Sequence, residues 1–394
     1  MSFRRLTDTL RADRRFLDGV LWLGLVWLIC APWLIASAGL YQKVFLVLFL
    51  LPALVVFITG LERATGPWDL LFLWSFLLFA AWLALRIGVA GEWKYAKRMF
   101  YIFLFLVGMK YLARVDQGAM ARSLLGCLVF SGFMAWFSVI DFYFLKGNSW
   151  GQRVVPVGQF KVIIYSAQMV GALFIASVAL FSNLRLGLIW RGLVVISMLG
   201  FLAFLLLNQT RWVWISVGCA LLALFFMRPS KKAFGVFFAF FLVLVLGYFY
   251  YPDAYLSRGL SYRDALWVAG IELGIDNWLV GVGSENYSLL ANGVGFNHPH
   301  NVYLEIAVRL GLVAFGLWLL LWLRAGWLVF EARMSCLGHC ALTLWIYCTL
   351  VVMTDGQIPW SKPSEIWFVT WLPLGLVLLV SSARSRPDAP GSRL

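Results

Sequence analysis

Runs of about 20 consecutive apolar residues, the length that carries a helix across a bilayer, recur through most of this chain. They can be placed at 17–38, 40–60, 67–87, 97–113, 121–145, 161–181, 187–207, 211–227, 233–251, 301–327, 336–354 and 364–382. Backbone amides in hydrocarbon find no water, so such segments must satisfy them internally as helices. The expected fold class is all-α: a polytopic integral membrane protein of about 12 transmembrane helices, one domain over 1–394, with a single large loop between helices 9 and 10. A soluble globule is excluded, because a mean hydropathy of +0.86 with 13% charged residues leaves too little polar surface to cover a core. Arg4, Arg5, Arg11, Arg14 and Arg15 precede the first run and no small-residue cleavage site follows, so a retained first helix is expected rather than a signal peptide.

Basic residues gather at cytoplasmic helix ends. With the N-terminus inside, 19 lysines and arginines fall on the cytoplasmic side and 12 outside, while Arg309 lies within the tenth helix. This orientation makes 252–300 a periplasmic loop and 383–394, rich in Ser, Arg and Pro, a disordered cytoplasmic tail. The outer face keeps more cations than such loops usually do, among them Lys94, Lys97, Arg98 and Arg153, which points to an anionic partner there; contact with lipid headgroups accounts for part of them. No nucleic-acid partner is expected. The six cysteines lie in apolar runs or at their ends, where no disulfide is expected, and Cys336-x-x-His339-Cys340 lacks a second ligand cluster, so it reads as core packing.

The polar loop concentrates the chemistry. Ser261-Tyr-Arg-Asp264 has the form of an N-cap box opening a helix to about Leu273, whose Leu266, Trp267 and Ile271 suit an amphipathic lid at the membrane surface. Gly281-x-Gly283 has no following Lys-Ser/Thr, so its glycines read as turn formers rather than a nucleotide loop. Two of the three histidines, His298 and His300, stand just before the tenth helix, where Glu305 and Arg309 are spaced to neutralise each other. A histidine titrates near neutral pH and suits a general base, although a pair of interfacial residues bonding to loop carbonyls has the same pattern. Arg211, after Asn208-Gln209-Thr210 at a membrane edge, is a functional candidate by position. Arg258 and Arg263 bracket the lid helix, and forked guanidinium groups match phosphate oxygens. Three arginines beside two histidines describe a diphosphate pocket next to a base.

Three stretches carry a resemblance: Arg263-Asp-Ala-Leu-Trp267; Asp276-Asn-Trp-Leu-Val-Gly-Val-Gly283 with Asn286-Tyr287; and His298-Pro-His-Asn301 followed by nine residues and Gly311. In these about 50 residues and in its helix layout the chain resembles the O-antigen ligase family of bacterial inner-membrane glycosyltransferases, relatives of O-antigen polymerases and protein O-oligosaccharyltransferases. The resemblance implies transfer of O-antigen polysaccharide from an undecaprenyl diphosphate carrier to lipid A–core oligosaccharide in lipopolysaccharide biosynthesis, at the periplasmic face; direct attack on the anomeric carbon should invert it, and with no outer Asp/Glu pair at DxD-like spacing no metal and no cofactor are expected. It implies His300 as the histidine needed for transfer, with His298 its competitor, and Arg211 and Arg263 as the arginines on the lipid diphosphate. Arg258, Asn301, Arg153, Lys94, Lys97 and Arg98 are the expected substrate contacts. Ala314 and Trp278 depart from the family pattern and leave polymerase and protein glycosylation open as alternatives. A polysaccharide or lipid transporter would need a polar path, for which Asp141, Glu305 and Arg309 are too few.

Overall fold

The computed structural model describes residues 3–88, 93–159, 162–227, 229–250, 252, 262–283, 287–356 and 358–384. Thirteen helices occur among these: α1 Phe3–Leu34, α2 Ala38–Thr59, α3 Leu70–Gly88, α4 Lys94–Leu112, α5 Gln117–Leu145, α6 Ile163–Asn183, α7 Leu188–Asn208, α8 Arg211–Met227, α9 Lys231–Tyr250, α10 Arg263–Asp276, α11 Val302–Glu331, α12 Cys336–Val351 and α13 Trp371–Arg384. Each of the twelve apolar runs is helical. Eight helical segments are long and apolar enough to cross a membrane, and Leu70–Arg86, Arg211–Met227 and Cys336–Val351 are shorter apolar helices. The chain is an all-α, multi-pass membrane protein.

Local chemistry explains the irregularities. Pro52 has no amide to give the carbonyl four residues back, and the turn before it, Leu46–Leu50, widens into a π-helix. In a bilayer lipid competes with apolar side chains for every contact, so close backbone approach carries the packing. At the crossing of α5 and α7, a Cβ on Gly200 would lie 2.3 Å from the Gly132 carbonyl oxygen. Helix α6 runs through the centre, and even its Ser166, Gln168 and Ser177 are buried.

The feature that shapes the functional end is a break in α11. Gly311 adopts φ 76°, ψ 179°, which opens the helical ladder. The segment after α10 fills the gap: Val282 N donates to Val308 O (2.9 Å), Gly283 N to Arg309 O (2.8 Å) and Leu312 N to Trp278 O (2.7 Å). Helix α3 closes the other side, with Trp82 Nε1 on Leu310 O (2.8 Å) and Arg86 on the carbonyls of Val280 and Gly281. Backbone meets backbone so closely that a Cβ on Gly281 would sit 2.3 Å from the Arg309 carbonyl carbon, and one on Gly311 2.2 Å from Leu279 O. Only glycine fits these positions, which also have left-handed φ. The turn-former reading of Gly281 and Gly283 thus acquires a partner in Gly311.

Several expectations need correction. Helix α10 begins at Arg263 with Tyr262 in the cap position (φ 63°) and no side-chain cap bond, so Ser261, which lies outside the described residues, does not occupy the cap; the helix ends at Asp276 rather than Leu273. The loop also holds a hairpin, β1 Leu289–Ala291 paired antiparallel with β2 Val294–Phe296. Its turn residues Asn292 and Gly293 both have positive φ, the Asn-Gly signature of a two-residue hairpin. The tail expected from 383 is still helical at Arg384, and 385–394 lie outside the described residues, as does Arg258.

Candidate active site

The motif His298-Pro-His-Asn301 enters α11 through a strained turn. Asn301 Oδ1 accepts from Leu304 N (3.1 Å) and so caps the helix, which is the contact this residue makes. His300 has φ 53°, an uncommon backbone state for a residue with a side chain, and its amide donates to His298 Nδ1 at 3.2 Å. The two imidazole centroids are 4.1 Å apart. Burial, helped by the neighbouring His300, pushes the His298 imidazole down to about 4, so it is neutral at pH 7.

The residue that organises this pair comes from the far side of the chain. Asp355, on the turn after α12, is 2% exposed in its side chain and places Oδ1 3.0 Å from His300 Nδ1. Its backbone is pinned by Gln168 Nε2 on Asp355 O (3.0 Å) from α6, and Gly356 N donates to Oδ1 (2.8 Å). Arg263 Nη2 stands 3.5 Å from Asp355 Oδ2, an ion pair that leaves Oδ2 buried without a hydrogen bond. Arg263 Nε donates to Thr354 O at 2.7 Å, tying α10 to the same turn. Burial lowers the Arg263 guanidinium; Asp355 opposes this, while the charge of Arg211 adds to it, which places Arg211 within electrostatic range. The structure therefore gathers His298, His300 and Arg263 around Asp355, a residue the sequence analysis did not name, with Arg211 within electrostatic range of Arg263.

Arg211 reaches the site because of the turn before it. Gln209 is left-handed (φ 57°), Thr210 Oγ1 donates to Asn208 Oδ1, and Asn208 Nδ2 donates to Val154 O (2.9 Å). Arg153 clamps that turn, with Nε on Asn208 O and Nη2 on Thr210 Oγ1, both at 2.7 Å. Its described contacts are thus with the protein segment that positions Arg211.

A second polar group adjoins the histidines. Glu305, buried on α11, accepts from Tyr287 Oη and from Arg309 Nε, and the Arg309 guanidinium lies 4.9 Å from the centre of the Tyr287 ring. The expected Glu305–Arg309 pair is present, and Tyr287 completes it. Burial beside Glu305 drives the Tyr287 hydroxyl strongly upward, so it donates rather than ionises. Arg309 also faces His298, whose proton affinity it depresses. The described contacts of Lys94, Lys97 and Arg98 are with the tyrosines of α4, Arg98 lying 4.7 Å from the Tyr95 ring centre.

His298, His300 and Asp355 offer ligand atoms all within 4.8 Å of one another, a donor set that divalent transition metals accept. The sequence, read without Asp355, contained no such group. Arg263, paired with Asp355, and Arg309, acting on His298, bring positive charge that opposes a dication there. The donor types fit a metal; the field around them does not.

Comparison with known proteins finds two likenesses. Residues 193–319 match the family described as O-antigen ligase, a span that contains Arg211, Arg263, both histidines and Gly311 but stops short of Asp355. A Pseudomonas aeruginosa protein named O-antigen ligase is 23% identical over 368 residues, which cover 89% of this chain and 90% of that one. The matched family, the relative and the motifs concur, and together they support a likeness to the O-antigen ligase family.

Proposed function

We propose that this protein is a glycosyltransferase that ligates O-antigen polysaccharide, carried on undecaprenyl diphosphate, to a sugar hydroxyl of lipid A–core oligosaccharide at the periplasmic face of the inner membrane. The observation that carries the reading is the 3.0 Å contact of His300 Nδ1 with buried Asp355, with Arg263 on the same carboxylate. Donation of Nδ1–H to Asp355 fixes the tautomer and leaves the Nε2 lone pair to receive a proton. In the proposed step the acceptor hydroxyl gives its proton to Nε2 of His300 as its oxygen bonds to the anomeric carbon. The bond from that carbon to the diphosphate oxygen breaks with inversion, and the lipid diphosphate leaves as a stable anion that needs no proton. Arg211 and Arg263 stabilise the charge growing on it. The loop 252–300 is the site-bearing element, and transfer proceeds without a metal, because the arginines occupy the electrostatic role a dication would have.

The test uses purified protein, lipid-linked donor and lipid A–core acceptor. His300→Ala is expected to remove the 10²–10⁴-fold or so that a general base contributes while carrier-lipid binding stays close to wild type. Arg211→Ala and Arg263→Ala should weaken both, each losing a charge-assisted contact of roughly 1.5–3 kcal/mol, and lysine should restore them only in part. If His298→Ala is inactive and His300→Ala is active, the base is two residues earlier. Activity should persist in EDTA; loss that Mn²⁺ or Zn²⁺ restores would turn the His298, His300 and Asp355 group into a working metal site. Elongation of carrier-linked glycan in place of lipid A–core transfer would make the enzyme a polymerase.

A further inference from the structure

At the end of α11 remote from His300 lies a cavity of about 740 Å³, lined by Trp68, Asp69, Lys110, Arg324, Glu331 and Ser382 among others. Arg324 is 22 residues beyond Val302 on that helix, roughly 30 Å away at 1.5 Å per residue, so the cavity belongs to the opposite membrane surface. Its size is that of a small-molecule site. The charges in it are ordered. Asp69 caps α3, its Oδ1 accepting from Phe72 N (2.9 Å), and takes two bonds from Arg324, Nε to Oδ1 (3.0 Å) and Nη2 to Oδ2 (2.6 Å). The third guanidinium nitrogen, Nη1, takes no part in that pair. Lys110, 1% exposed, places Nζ on Glu62 O (3.1 Å), Thr65 Oγ1 (2.8 Å) and Gly66 O (2.6 Å), so it supplies charge to the cavity and has no proton left to give. Glu331 accepts from Trp327 Nε1 (3.0 Å).

We propose that this cavity binds the headgroup of a zwitterionic phospholipid bearing a phosphate and a primary ammonium, in the leaflet opposite to that of the active site. Two cations and two carboxylates line it, so a purely anionic headgroup would meet Asp69 and Glu331 as well as Arg324, whereas a zwitterion matches both signs. The phosphate takes Arg324 Nη1 in the field of Lys110, and the ammonium donates to Glu331. Trp68, whose ring centre is 5.4 Å from Lys110 Nζ, adds an indole of the kind enriched at membrane interfaces. The apolar lining residues Leu70 (67% exposed) and Leu71 (45%) offer the acyl chains a place beside the headgroup.

Native mass spectrometry of the full chain in detergent, with phosphoethanolamine, phosphocholine and phosphoglycerol lipids of identical chains, tests this. The ethanolamine lipid should be retained about tenfold better than the other two, since choline cannot donate and glycerol lacks the positive charge. Glu331→Gln should bring that preference to within about twofold, as expected from loss of one charge-assisted bond. His300→Ala, remote from the cavity, should leave it intact. Arg324→Gln breaks the Asp69 pair and can compromise folding, so the wild-type lipid series and Glu331→Gln decide the matter. Equal retention of all three lipids, preference for phosphoglycerol, an unchanged preference in Glu331→Gln, or full displacement by soluble phosphoethanolamine would each overturn the proposal.

Discussion

The two ends of α11 treat polar groups in opposite ways. At the Arg324 end Lys110 and Asp69 are held by their neighbours: three oxygens surround the Lys110 ammonium, and Asp69 takes two parallel bonds from Arg324. At the His300 end, Asp355 Oδ2 is buried without a hydrogen bond, and His300 is held at positive φ. A buried acceptor without a donor and a strained backbone both cost stability, and such costs concentrate where a fold must present groups rather than satisfy them. Lys110 and Asp69 are held by their own neighbours, whereas Asp355 and His300 are presented to the site.

The contrast can be broken experimentally. The largest effect is expected from Asp355→Asn, which keeps the shape but no longer fixes the His300 tautomer; transfer should fall by about 10²–10⁴. Arg324→Gln should leave transfer within about threefold where the protein folds, since this partly buried pair lies at the far end of α11 from His300. Rate assays on equal amounts of folded protein compare them, and equal losses would end the distinction.

Next in size is the break itself. Gly311→Ala should cost roughly 2–4 kcal/mol, from positive φ and from a Cβ forced onto the Leu279 carbonyl. Gly316, on the same helix with open space around it, is the control: Gly316→Ala should gain about 0.5–1 kcal/mol in helix propensity. Thermal unfolding in detergent measures both. A smaller change is expected for Asp69→Ala, which loses a helix cap and a half-exposed ion pair, together about 1 kcal/mol.

A last effect is pH-dependent. The His298 imidazole titrates near 4 in the folded protein against 6.5 for the free side chain. Between these values the unfolded chain binds more protons, so this histidine's contribution to stability is complete above 6.5 and declines as pH falls toward 4. The melting temperature of wild type should therefore drop more between pH 7 and pH 5 than that of His298→Asn. Parallel slopes would remove the buried, neutral histidine from the account.

Apolar run length is a local property, so the twelve helical segments, the membrane class and the loop that holds the histidines were all legible in the sequence. Arg263 and His300 were legible as members of one polar loop, but they meet only through Asp355. The Asn292-Gly293 turn was equally local, and its hairpin signal, small against the surrounding apolar runs, went unused. Asp355 was different: it lies 55 residues from His300, alone on a short turn with no pattern around it. Nothing local distinguishes it from a surface aspartate. Its position is decided where Gln168 of α6 bonds its carbonyl and Arg263 of α10 bonds the carbonyl before it. The same holds for Arg211, aimed by the clamp of Arg153, and for Gly311, whose extended backbone has a purpose only because residues 278–283 lie across it. Helix formation in a membrane is a decision each segment makes within itself, to satisfy its own amides; which charges then meet depends on contacts between segments, and only the packed bundle supplies those.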